Sequence, residues 1–127
     1  MSDKKALVVD DEFHIVQVVA IKLRNNGFEV VTAENGADAL QLAVSEKPDI
    51  VVTDFQMPAM TGIEFVEKLR NRPETAEIPV VMLTARGFAV EDKKKEQLNI
   101  AALVNKPFSP RELLQSVEEV LGQGASK

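Results

Sequence analysis

Three aspartates, a threonine and a lysine in this sequence stand where apolar runs stop. Ala6-Leu7-Val8-Val9 leads into Asp10-Asp11, and Ile50-Val51-Val52-Thr53 leads into Asp54. Val80-Val81-Met82-Leu83 leads into Thr84, and Ala101-Ala102-Leu103-Val104 leads, one residue later, into Lys106-Pro107. Parallel strands of one open sheet bring their carboxyl ends to a common edge, where such sheets bind ligands. If the four runs are such strands, three carboxylates, a hydroxyl and an ammonium share one small space.

Two carboxylates about 4 Å apart repel by about 4 kcal/mol at an effective dielectric of about 20. Three of them need a proton, a cation or water between them. Magnesium suits the set, being hard, oxygen-seeking and slow to give up its waters. His14 is the one histidine and cysteine is absent, which argues against zinc and copper. Lys106 and Thr84 supply a cation and a hydroxyl donor, groups that fit the outer oxygens of a phosphoryl group. A carboxylate can then act as nucleophile, as in aspartyl-phosphate formation. Asp54, alone at the end of its run, is the candidate, and the Asp10-Asp11 pair is better suited to holding metal. Singly, each residue has a plainer reading: a helix cap, a turn or an ordinary loop. Their joint occurrence after four apolar runs carries the argument.

The elements that must position these groups are legible in the changing apolar period. A fifth strand-like run, Glu29-Val30-Val31-Thr32-Ala33, follows the turn signal Asn26-Gly27. Helical faces fall between the runs: Ile15, Val18, Val19 and Leu23; Ala37, Leu40 and Val44 before Pro48; Phe65, Val66 and Leu69 before Pro73. A fourth, more polar helix is expected near Val90 to Leu98. The last begins at Ser109-Pro110-Arg111-Glu112, with a capping Ser, Pro at the first helical position and Glu three residues on. Leu113, Val117, Val120 and Leu121 give it a buried face. Strands alternating with helices predict an α/β fold, a parallel sheet covered on both sides. A closed barrel of eight units would need about 250 residues, so a doubly wound open sheet is expected.

At 127 residues, 45% hydrophobic and 28% charged, the chain fits one globular domain, expected to span 1–127 with a core at about 5–121. No leader or membrane-length apolar run is evident. Together with the lack of cysteine, this suits the cytoplasm. A net charge of −5 argues against direct nucleic-acid binding.

Asp10-Asp11, Asp54, Thr84-Ala85 and Lys106-Pro107-Phe108, with Met57-Pro58 and Gly62, resemble the CheY-like receiver domains of two-component response regulators. The likeness runs from about Lys5 to Leu121. It implies a flavodoxin-like five-stranded sheet of order 2-1-3-4-5 with five helices. It also implies that Asp54 accepts phosphate from a histidine kinase or phosphotransfer protein. Mg²⁺ would be held by Asp11 directly, by Asp10 mostly through water, by Asp54 and by the Gln56 backbone carbonyl. Thr84 would bond one phosphoryl oxygen and Lys106 another, with Pro107 following a cis peptide bond. The signal would leave through the fourth helix, fifth strand and fifth helix, a face that could also pair two copies weakly.

The chain departs from the family pattern in places. Receivers usually carry Tyr or Phe three residues before the active-site Lys, where this chain has Leu103, without a hydroxyl to exchange partners. Asn99-Ile100 stands where Gly-Ala is frequent, and Asn tolerates the left-handed backbone that ends a helix. Gln56 and Arg86, each two residues past a site residue, are expected to set phosphate lifetime. Lys93-Lys94-Lys95 reads as a solvated face, His14 as a surface residue, and Phe55 and Phe108 as packing residues.

With little chain after the fifth helix, the expected unit is a stand-alone receiver that binds a downstream protein, a monomer or weak dimer. It would be no enzyme beyond its own phosphorylation and dephosphorylation. The alternatives are a fragment or relay intermediate and, in another class, an Asp-nucleophile phosphohydrolase. The latter usually carries a second Asp two residues on, where Gln56 cannot deliver a proton. A flavin-binding module is disfavoured because Asp10-Asp11-Glu12 would repel the flavin phosphate.

Overall fold

The structure, a computed structural model, describes residues 4–85 and 92–125. The order is β1 Lys5–Val9, α1 Phe13–Arg24, β2 Glu29–Ala33, α2 Gly36–Glu46, β3 Ile50–Asp54, α3 Gly62–Arg70, β4 Val80–Ala85, α4 Asp92–Leu98, β5 Ile100–Lys106 and α5 Pro110–Ala125. All strand pairs are parallel and the sheet runs β2-β1-β3-β4-β5, as the resemblance implied.

Strands buried on both faces explain the near-continuous apolar runs: every residue of β3 is buried. One core cluster packs α1 and α5 against Val8, Val52, Leu83 and Val104. The other packs α2, α3 and Leu98 of α4 against Leu7, Val51, Met82 and Ile100. β5 serves both faces through an irregularity beside Val80/Val81, where Ile100 pairs with Val80 but Ala102 already pairs with Val81. The extra residue lets Ile100 and Leu103, three apart, pack on the same side of the sheet.

Two helical faces differ from the expected ones. In α1, Val16, Val19, Ala20 and Leu23 are buried, while Val18 is exposed and Ile15 only half-buried. The spacing 16, 19, 20, 23 follows the helical period closely; Ile15, Val18 and Ile21 form a second apolar stripe that the pattern alone could not rank below it. In α2 the deepest residues are Gly36, Ala39 and Ala43, with Leu40 and Val44 at the margin and Ala37 exposed. Small residues let this helix approach the sheet closely, a contact that hydrophobicity does not report.

The caps are as expected where foreseen. Ser109 and Glu112 form a reciprocal capping box at α5. A second, unforeseen box joins Thr61 and Glu64 at α3. Asn99 ends α4 with φ 54°, and Gly27 makes its turn with φ 93°. Phe55 and Phe108 pack against opposite cores, and His14 is exposed. Arg86, and the side chains of Lys93 and Lys94, lie outside the described residues; Lys95 is half-buried. Among the described residues, no helix is long and apolar enough to cross a membrane.

Candidate functional site

The strand register aligns the site. Val9 pairs with Thr53, so Asp10 and Asp54, one residue on, end up level at the carboxyl edge. Asp54 pairs with Leu83, which leaves Thr84 one step beyond, and Thr84 pairs with Asn105, which leaves Lys106 one step beyond that. The turn past β3 is pinned at Gly62, whose N–H donates to the Phe55 carbonyl at 2.8 Å. A Cβ at Gly62 would collide with the Asp54 carbonyl oxygen, so glycine is needed for close approach there.

Asp10, Asp11 and Asp54 each offer a carboxylate oxygen within 4.8 Å of the others. Asp10 and Asp54 are buried and Asp11 is exposed. Lys106 reaches this cluster with Nζ 3.0 Å from Asp10 Oδ2, 3.1 Å from Asp54 Oδ1 and 3.2 Å from Glu12 Oε1. The peptide bond to Pro107 is cis. The backbone N–H of Glu12 donates to Asp10 Oδ1 at 2.9 Å. Thr84, also buried, donates its hydroxyl proton to Asn105 Oδ1 at 3.0 Å. Gln56 follows β3 and is exposed.

Burial, above all, raises the carboxyl groups of Asp10 and Asp54 above the usual range, and their mutual proximity adds to it at Asp54. Lys106 pulls both back. Burial works against the charge on Lys106 as well. The hydrogen bond and charge of Asp10, followed by those of Asp54, outweigh burial and raise its pKa above that of an ordinary lysine. An under-compensated, oxygen-only acidic cluster of this kind fits a hard divalent cation.

Four of the five expected side chains therefore converge, Asp10, Asp11, Asp54 and Lys106, and the register sets Thr84 at the same edge with its hydroxyl on Asn105. Two neighbours were missed. The sequence presents Glu12 only as a repulsive charge, although its place in an acidic run before a helix is a signal for more. Asn105 had no signal, because its contact with Thr84 depends on the pairing of β4 with β5.

The family model for the response regulator receiver domain matches residues 6–118. The phosphate regulon transcriptional regulatory protein PhoB of Pseudomonas aeruginosa is 40% identical over 123 residues, 95% of this chain and 53% of its own. The alkaline phosphatase synthesis transcriptional regulatory protein PhoP of Bacillus subtilis is 39% identical over 119 residues, 94% of this chain and 49% of its own. The chain thus spans about half the length of these curated relatives. The solved chemotaxis response regulator CheY4 of Vibrio cholerae superposes with a TM-score of 0.86 at 34% identity, covering 94% of this chain and 99% of that one.

Proposed function

The chain belongs to the response-regulator receiver family of two-component signalling, and we propose that Asp54 is its phospho-acceptor. The observation that carries this reading is the placement of Asp54, buried between Asp10, Asp11 and the Lys106 ammonium at the sheet edge. In the transfer, a carboxylate oxygen of Asp54 attacks phosphorus. A new O–P bond forms as the N–P bond of a donor phosphohistidine breaks, and the imidazole nitrogen keeps the electron pair. Lys106 draws charge from the incoming phosphoryl oxygens, and Thr84 turns its hydroxyl toward one of them. Mg²⁺ held by Asp10, Asp11, Asp54 and the Gln56 carbonyl would screen the carboxylates and bind a phosphoryl oxygen. Phosphorylation adds about −1.5 to −2 charges at pH about 7, and the movement of Thr84 biases the face made by α4, β5 and α5.

A protein donor is supported by α1, whose Phe13, Val18 and Ile21 are 63, 41 and 52% exposed. Beside them lies an apolar cleft of about 390 Å³ lined by Ile15, Val18, Lys106, Pro107 and Phe108. A histidine-bearing helix laid there would bring its ring to the lysine's side of the site. We take the unit to work in the cytoplasm as one receiver domain over 1–127, turning over only its own phosphate and passing the signal to a protein target. A receiver within a longer regulator, or one relaying phosphate onward, would use the same site.

Incubation with Mg²⁺ and acetyl phosphate, read by intact mass, tests this reading. A single phosphate on the wild type, absent in Asp54→Asn and absent with chelator, is expected. An unmodified wild type, or a modified Asp54→Asn, would overturn it. Multiple-turnover release from phosphomonoesters would favour a phosphohydrolase instead.

A further inference from the structure

Leu103 leaves this chain without the aromatic group that receivers usually couple to the threonine. Asn105 is the polar group that does reach Thr84. The two residues are register partners on β4 and β5, and Met82 pairs with Leu103 two residues earlier. Leu103 and Asn105 therefore share one side of β5 with Met82 and Thr84 facing them on β4. Leu103 packs into the core on that side, while Asn105, at the sheet's edge strand, is exposed and takes the Thr84 hydroxyl proton at 3.0 Å.

We propose that Asn105 is a positioning residue that holds the Thr84 hydroxyl in its resting place, so that a phosphoryl oxygen on Asp54 must compete with the Asn105 carboxamide for it. The proposal rests on Asp54 being the phospho-acceptor. A hydroxyl has one proton to give, and in the resting chain Asn105 Oδ1 receives it. A charged phosphoryl oxygen is the stronger acceptor, so the exchange runs toward the phosphorylated state once phosphate arrives. The bond lost is set against the bond gained, and a neutral, partly exposed hydrogen bond biases an equilibrium by about two- to tenfold.

The exchange also has an outlet. Asn105 lines a groove of about 500 Å³ between β5 and α5, with Gln115, Ser116 and Glu119 on the helix side. Departure of Thr84 frees the Asn105 carbonyl oxygen at the rim of that groove. The next residue, Lys106, is tied to Asp10 and Asp54. Asn105 and Lys106 therefore sense the same event, one through the hydroxyl and the other through charge.

The test is titration of the chain with beryllium fluoride and Mg²⁺ followed by calorimetry, since the beryllium bonds a carboxylate oxygen where phosphorus would, and its fluorines stand where the phosphoryl oxygens would. Asn105→Ala is expected to bind about two- to tenfold more tightly than wild type, with no gain in a Thr84→Ala background. Asn105→Asp keeps the acceptor oxygen and should reverse the gain; in the Thr84→Ala background it reports the effect of the added charge alone. A metal-free readout accompanies this: the Thr84 side chain should hold one χ1 rotamer in wild type and average over several in Asn105→Ala, by three-bond NMR couplings. Equal affinities in wild type and Asn105→Ala, or the same gain with Thr84 removed, would overturn the proposal. Failure of wild type to bind, or binding by Asp54→Asn, would overturn the Asp54 reading itself; the χ1 comparison stands apart from both. The unfolding midpoint of Asn105→Ala checks that the fold is kept.

Discussion

Lys106 holds together two buried carboxylates whose charge it does not fully compensate. Asp10 and Asp54 both bind a proton more tightly in the fold than in the unfolded chain, chiefly because burial penalises their charge. Their contribution to stability is therefore greatest below the ordinary carboxylate value of about 3.9. It falls as pH rises through their raised folded values. Lys106 titrates far above neutrality, with its pKa also raised. What it contributes is present below its ordinary value and is lost only as pH rises through the folded one. In chelator, urea unfolding should show Asp54→Asn more stable than wild type near neutral pH, by on the order of 1 kcal/mol, because relief of repulsion exceeds the lost Lys106 contact. Its loss of stability from acid toward neutral pH should also be shallower. A variant less stable than wild type at neutral pH would show that the lost Lys106 contact outweighs the relieved repulsion. The five candidate site residues were legible because each stands at or within two residues of the end of an apolar run. Glu12 and Asn105 were not, because their roles depend on which strands are neighbours.

Among the elements, α3 carries two constraints. Its first residue, Gly62, leaves no room for a Cβ against the backbone of Asp54 and Phe55. Gly62→Ala should cost about 1–3 kcal/mol, seen as a lower unfolding midpoint, and should slow phosphorylation because Asp54 itself must shift. Wild-type stability and rate in that variant would mean that the turn yields freely. Just before it, Met60 N–H donates to the Pro58 carbonyl at 2.7 Å around Ala59, which has φ 70°. A side chain is strained in this conformation, and Ala59→Gly is expected to gain about 0.5–1 kcal/mol in denaturant unfolding.

At the other end of α3, Arg70 donates to the carbonyls of Leu98, Ala76, Ile78 and Asn99 at 2.7, 3.0, 2.7 and 3.2 Å. This fork ties the end of α4 to α3 and to the loop before β4. Burial lowers the Arg70 pKa, yet a guanidinium remains charged. Arg70→Lys places one point donor where a planar fork is required. It should lose about 2–3 kcal/mol and speed amide exchange in residues 92–98. Protection of α4 equal to wild type would show that the clamp is not what holds it.

For the whole molecule, the Mg²⁺ site proposed at the acidic edge would link folding to cation binding. A ligand held only by the folded chain stabilises it by about 2.7 kcal/mol at about 100 times its dissociation constant. Saturating Mg²⁺ should therefore raise the unfolding midpoint of wild type, with most of the rise lost in Asp11→Asn. Asp11 is the exposed member of the triad and has the least structural work to lose. An equal rise in Asp11→Asn would place the cation elsewhere.

Local pattern along the chain is enough to specify the class of fold and which polar groups collect at its edge. Apolar runs long enough only for strands, alternating with helical periods, require a parallel sheet, and such a sheet delivers whatever follows its strands to one edge. Pairing, by contrast, is set by the assembled fold. Which apolar stripe of α1 faces inward depends on the shape of the sheet beneath, where Val16 and Ala20 fit and Val18 is left outside. The partner of Thr84 depends on the register of β4 against β5 and on the irregularity that sets it. Periodicity reports how a segment is buried, whereas register is a relation between segments distant in the chain, which no local pattern carries.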